Sequence, residues 1–137
     1  MIGDASLAPV LVVEDNPEVR QALVALLEDG GFPVAQAPDG VSALRLLRAG
    51  AVHPCLIVLD LVMPRMDGWD FLKERRRDDR IAAIPVVVVS ADPLALQATH
   101  LGVTAVLLKP TAPERLLELV GHHCKRVAQQ RVGDPPG

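Results

Sequence analysis

Short apolar runs alternate with stretches of helical spacing along the whole chain. Residues 9–13, Pro-Val-Leu-Val-Val, predict a strand buried on both faces, because leucine and β-branched side chains follow one another without a polar break. Asn16-Pro17 then reads as a helix start, a side-chain cap followed by proline at the first helical position. Val19, Ala22, Leu23, Leu26 and Leu27 repeat at helical spacing, and Gly30-Gly31 closes the pattern. Residues 32–37 predict a second strand. Asp39-Gly40 opens a second helix, with Ala43, Leu44 and Leu47 inward and Gly50 as its stop. A third strand over 55–59 runs directly into Asp60. A loop over 63–68 leads to a third helix over about 69–77, and the charged run from Arg75 to Arg80 reads as its solvated end. Residues 85–89 form a fourth strand ending at Ser90. A fourth helix spans 93–101 and stops at Gly102. A fifth strand over 104–108 ends at Lys109-Pro110. The last helix starts at Pro113, turns Leu116, Leu117 and Val120 inward, and runs to about Gln130.

Five strands alternating with five helices predict an α/β fold, a parallel sheet covered on both faces. Ligands of such open sheets bind at the carboxyl ends of the strands. Here those ends carry Glu14-Asp15, Asp60, Ser90 and Lys109. Three carboxylates at one edge repel each other, and a hard divalent cation relieves the repulsion. Mg²⁺ suits oxygen ligands and accompanies phosphoryl groups. Each residue alone reads as an ordinary polar strand end. All of them on one edge point to a phosphoryl site.

Composition narrows the class. The chain has 137 residues, enough for one domain over about 8–128, with 1–7 and 131–137 expected as flexible termini. Half of it is hydrophobic but only 2% is aromatic, so the core must be aliphatic. A net charge of −3 argues against direct nucleic-acid binding, which needs clustered Lys and Arg. No apolar run approaches the roughly 20 residues that span a bilayer, and the start of the chain lacks signal-peptide features. Two cysteines make no disulfide scaffold, and the expectation is a reduced, soluble, cytoplasmic domain. The Ala-, Leu-, Pro- and Arg-rich composition suggests a bacterial source.

The motifs Val12-Val13-Glu14-Asp15-Asn16, Leu59-Asp60-Leu61-Val62-Met63-Pro64, Met66-Asp67-Gly68, Val89-Ser90-Ala91 and Lys109-Pro110 resemble, in order and spacing, the receiver domain of two-component response regulators. The resemblance covers roughly residues 8–128 and is closest in kind to single-domain, chemotaxis-type regulators. It implies a flavodoxin-like (βα)5 three-layer sandwich with strand order 2-1-3-4-5, an arrangement the rule for open sheets was framed on. It also implies roles. Asp60 would accept the phosphoryl group as an aspartyl phosphate. Asp15, Glu14, Asp60 and the backbone carbonyl of Val62 would hold Mg²⁺. Ser90 and Lys109 would contact phosphoryl oxygens, and Lys109-Pro110 would be cis. A histidine kinase or phosphotransfer protein would donate the group. A downstream protein or a second copy would dock on the face formed by residues 93–130. Such a domain is a phosphorylation-controlled binding module, not an enzyme beyond its own phosphorylation and dephosphorylation.

The sequence departs from the pattern at the switch. Val106 stands where the family often has an aromatic residue, and Thr111 where phenylalanine often follows Lys-Pro. β-Branched valine has few rotamers and cannot swing as a ring does. Switching is then expected through Ser90 and the following helix, with Val106 altered. Val62 and Asp92 imply slow to intermediate loss of phosphate. Two rivals remain. A pseudo-receiver would bind partners constitutively. An aspartate-nucleophile phosphohydrolase would need a second Asp where Val62 stands. Among secondary signals, Trp69 reads as a half-exposed probe or simple packing. The last helix runs back antiparallel to the strands, so His122-His123-Cys124 can approach His53 and Cys55. The spacing matches no zinc pattern, so these are read as surface histidines and a small core cysteine.

Overall fold

The structure, a computed structural model, describes residues 7–62 and 66–127. The 63–65 stretch, most of the expected flexible ends and the projected last turns toward Gln130 lie outside the described residues. The elements are β1 (Val10–Val13), α1 (Pro17–Asp29), β2 (Val34–Ala37), α2 (Gly40–Arg48), β3 (Leu56–Leu59), α3 (Gly68–Arg77), β4 (Val86–Ser90), a 3₁₀ helix η1 (Pro93–Leu101), β5 (Ala105–Leu108) and α4 (Pro113–His123). All strand pairs are parallel and the sheet order is β2-β1-β3-β4-β5, as the resemblance implied.

The strand alternation sorts the core into two layers. Leu11, Val13, Ile57, Leu59, Val86 and Val88 face α2, α3 and η1 and meet Leu44, Phe71 and Leu72. Val10, Val12, Leu56, Val58, Val87 and Val89 face α1 and α4 and meet Val24, Leu27, Leu116 and Val120. The three central strands are buried throughout, which is why they read as unbroken apolar runs. Each fully buried Val or Leu side chain contributes about 1.5–3 kcal/mol from removal of apolar surface. On α1 the inward stripe is Val24 and Leu27 with Leu23 and Leu26 at its margin, while Ala22 is exposed.

The caps follow the sequence. Asn16 Oδ1 accepts from the Glu18 and Val19 amides at 2.9 and 3.1 Å, and Asp39 Oδ1 accepts from Ser42 at 2.7 Å. Asp67 caps α3 through the Asp70 amide at 2.9 Å.

Four expectations are corrected. The stretch 93–101 is 3₁₀ rather than α-helical. Its inward residues are Ala95 and Ala98, three apart, the spacing that a three-residue turn stacks on one side. Arg75 is not part of a solvated helix end. It is 4% exposed, and its Nε and Nη2 donate to the Ile84 carbonyl at 3.1 and 2.7 Å. The last helix ends at His123, because Cys124 turns to extended backbone. Finally, the two cysteines are not reduced. Cys55 and Cys124 are joined, Cα to Cα 5.5 Å, across 69 positions of sequence. A loop of that length stabilises the fold by roughly 4 kcal/mol in the chain-entropy account of cross-links. His53, His122 and His123 are exposed, as expected, and the bonded sulfurs leave no soft-metal site between these groups.

Candidate functional site

Parallel pairing aligns the strand ends, and the ladder then runs one residue further. The Glu14 amide donates to the Ala37 carbonyl at 3.2 Å, Asp60 to Val13 at 3.1 Å and Lys109 to Ser90 at 2.8 Å. The register therefore sets Glu14 and Asp60 at one level of one edge, with Ser90 one residue and Lys109 two residues further along the same edge. The edge acids meet there. Glu14, Asp15 and Asp60 each present a carboxylate oxygen, all within 4.8 Å of one another.

Glu14 is 2% exposed, and one of its oxygens, Oε2, accepts from the Asn16 amide at 3.1 Å. The other, Oε1, is buried with no hydrogen-bond partner, its nearest cation being Lys109 Nζ at 3.7 Å. Burial pushes the Glu14 carboxyl up to about 7, and the Asp60 charge adds to the rise; the Asn16 amide and Lys109 oppose it. A buried carboxylate oxygen without a donor, among two further carboxylates, is a donor set that fits a hard, oxygen-seeking cation. Asp15 and Asp60 are half-buried, so they can face both a cation and solvent. Val62 follows Asp60 by two, and its amide donates to Asp60 Oδ1 at 3.3 Å.

The rest of the edge is arranged around Asp60. Ser90 is 1% exposed and its Oγ accepts from the Asp92 amide at 3.2 Å. Asp92 in turn caps η1 through Leu94 at 2.9 Å. The Lys109-Pro110 bond is cis, as the resemblance implied. Gly68 lies against the chain leaving β3: an added Cβ would sit 2.5 Å from the Leu61 Cα and 2.6 Å from the Asp60 carbonyl oxygen. Its amide donates to the Leu61 carbonyl at 2.8 Å. The Asp-Gly turn thus closes directly over the residue that follows Asp60.

The structure brings Glu14, Asp15, Asp60, Ser90 and Lys109 to the same edge. Val106 packs half-buried against the core beneath η1, and Thr111 donates from Oγ1 to the Leu108 carbonyl at 2.7 Å. Trp69, half-buried, packs on the same core next to Gly68. Two supports escaped the sequence reading. Arg20 Nη1 donates to the Glu14 carbonyl at 2.9 Å, and Asn16 serves the site through its amide as well as capping α1. The helical position of Arg20, one turn after the acidic pair, is the signal that marks it.

Comparison with known proteins shows the family. The family described as the response regulator receiver domain matches residues 10–121. Response regulator Rre1 of Synechocystis is 36% identical over 115 residues, covering 81% of this chain and 49% of that protein. The chain spans about half the length, or less, of the first curated relatives it matches. The chemotaxis protein CheY of Pseudomonas aeruginosa is 34% identical over 122 residues, covering 86% of this chain and 97% of its own. A receiver protein of Pseudomonas putida superposes with a TM-score of 0.77 at 36% identity, over 85% of this chain and 98% of its own. By the family matched over residues 10–121 and by its sheet order, this chain belongs to the response regulator receiver domains, the phosphorylation-dependent receivers of two-component signalling.

Proposed function

We propose that Asp60 accepts the phosphoryl group and that the resulting aspartyl phosphate changes which partner the domain binds. The observation that carries this is the gathering of Glu14, Asp15 and Asp60 within 4.8 Å on an edge shared with Lys109. An Asp60 carboxylate oxygen attacks phosphorus, the bond to the donor breaks, and the donor leaves with the electron pair; from a phosphohistidine the leaving group is imidazole. The donor is a histidine kinase or a histidine phosphotransfer protein. Glu14, Asp15, Asp60 and the Val62 carbonyl would hold Mg²⁺, which would supply positive charge against the negative oxygens of the incoming group. Lys109 places a point charge beside the site, and the Ser90 hydroxyl donates to a phosphoryl oxygen.

The domain acts as a binding module rather than a turnover enzyme. A phosphohydrolase of the aspartate class needs a second carboxylate two residues after the nucleophile, and Val62 stands there, 65% exposed. That apolar side chain hinders attacking water, so the phosphoryl group is retained long enough to signal. Output passes through Ser90, η1 and the face formed with α4, where Leu94, Leu96 and Leu108 are exposed. A downstream protein or a second copy docks there. Val106 and Thr111 favour one second reading, a pseudo-receiver with constitutive binding, because neither can act as an inward-turning ring.

Intact-protein mass spectrometry after incubation with Mg²⁺ and acetyl phosphate tests the proposal. One added phosphoryl group, absent without Mg²⁺ and absent in Asp60→Asn, is the expected result. An unmodified mass with acetyl phosphate and with a panel of histidine kinases overturns it in favour of the pseudo-receiver.

A further inference from the structure

At the edge opposite Asp60, three separate pieces of chain meet at one pair of sulfurs. Cys55 precedes β3, and its amide donates to the Pro9 carbonyl at 3.0 Å, just ahead of β1. Cys124 is the residue on which α4 ends. Their bond ties the carboxyl end of α4 to the starts of the two central strands. Beyond it the chain turns back over the end of α1. Arg126 Nε donates to the Gly30 carbonyl at 2.9 Å, its guanidinium lies 4.6 Å from the centre of the Phe32 ring, and the Val127 amide donates to Gly31 at 2.6 Å.

Two features favour thiol exchange at this bond. Cys55 is half-buried while Cys124 is 8% exposed, so an incoming thiolate has one sulfur to reach and the other to expel. An opened Cys55 thiol also has acceptors waiting, since its sulfur lies 3.4 Å from the carbonyl oxygens of both Ala8 and Pro9.

We propose that Cys55 and Cys124 form a thiol–disulfide switch that sets how firmly the carboxyl end of α4 is held, under control of a small thiol and its disulfide. In opening, a small-molecule thiolate attacks the Cys55 sulfur. The Cys55–Cys124 bond breaks and Cys124 leaves as thiolate, taking a proton from solvent. A second small thiolate attacks the mixed disulfide on Cys55, releasing the oxidised small disulfide and the Cys55 thiolate. Two electrons pass from the two small thiols to the protein pair, and closing reverses both exchanges. The contacts of Arg126 and Val127 remain, so opening loosens the helix end without detaching the segment behind it.

The test uses the native full chain in a series of reduced-to-oxidised glutathione ratios, without denaturant. Free thiols are alkylated and counted by mass spectrometry, and hydrogen exchange is followed in the same samples. The expected result is a reversible change between two free thiols and none, reached from both directions. Amides of residues 120–124 should exchange about tenfold faster in the open form, while those of β1, β3 and β4 and the Val127 amide stay unchanged. Cys55→Ser should behave as the open form, and the reduced wild-type chain gives the same readout if that variant fails to fold. A pair that stays closed, or stays open, across the series overturns the proposal. So does an equal change in exchange along the whole chain, which marks a static cross-link.

Discussion

Glu14 is the residue at which fold and function pull apart. Its carboxyl sits near pH 7 in the folded chain against an ordinary 4.5, mainly because it is buried. The folded state therefore holds a proton that the unfolded state has released. That contribution is complete below about pH 4.5 and is lost as the pH rises through about 7. Urea midpoints measured without divalent cation should fall over this window, and Glu14→Gln should flatten that part of the profile. Gly68 gives a steric counterpart. Its absent Cβ leaves room for the backbone after β3, so Gly68→Ala should destabilise by about 1–3 kcal/mol in a urea titration, the usual cost of overpacking. At this scale the site was legible and its surroundings less so. The residues of the edge were legible because each ends an apolar run. Arg75 was missed because a charge beside other charges looks solvated, and only the backbone of Ile84, nine positions on, supplies its acceptor. The cysteines were brought to the right place by the antiparallel return of α4, but their pairing depends on a separation that sequence does not state.

Among the elements, η1 is the one whose existence was legible and whose kind was not. Pro93 and Gly102 bound it as they would any helix. The difference lies in what it buries, two alanines, while Leu94 and Leu96 stand 60% and 52% exposed. A segment with so thin an inward face gains little from the wider α turn, and 3₁₀ hydrogen bonds are the poorer kind. Its amides should therefore exchange with solvent fastest among the described helices, measurable by hydrogen exchange with peptide-level mass spectrometry. Protection equal to that of α1 would contradict this. α4 departs in length for a different reason. Its apolar repeat carries the helix to His123, and the cross-link and the Arg126 contacts redirect the chain after it. A helical repeat in sequence reports propensity and says nothing of a tether beyond its end.

Across the whole molecule, the sheet covered on both faces was legible because β1, β3 and β4 are buried on both sides, while the strand order came from the family resemblance. The outer strands were less so: β2 and β5 are half-exposed, and β2 begins two residues later than its predicted start. Binding of Mg²⁺ to the edge should stabilise the entire fold, since the unfolded chain scatters its ligands. Thermal unfolding in rising Mg²⁺ should show an upward shift that Asp15→Asn reduces, with Trp69 fluorescence reporting the same titration at its place beside Gly68. No helix among the described residues is long and apolar enough to cross a membrane.

Glu14, Asp60 and Lys109 stand one residue past the regular strands, yet each is still tied into the sheet by its own amide. These side chains are thus grafted onto the sheet, the stiffest part of the chain, and the loops begin only after them. Descent with modification can exchange those loops and the outer helices, and with them the choice of partner, while the chemistry keeps its geometry. One reaction centre can in this way serve many conversations.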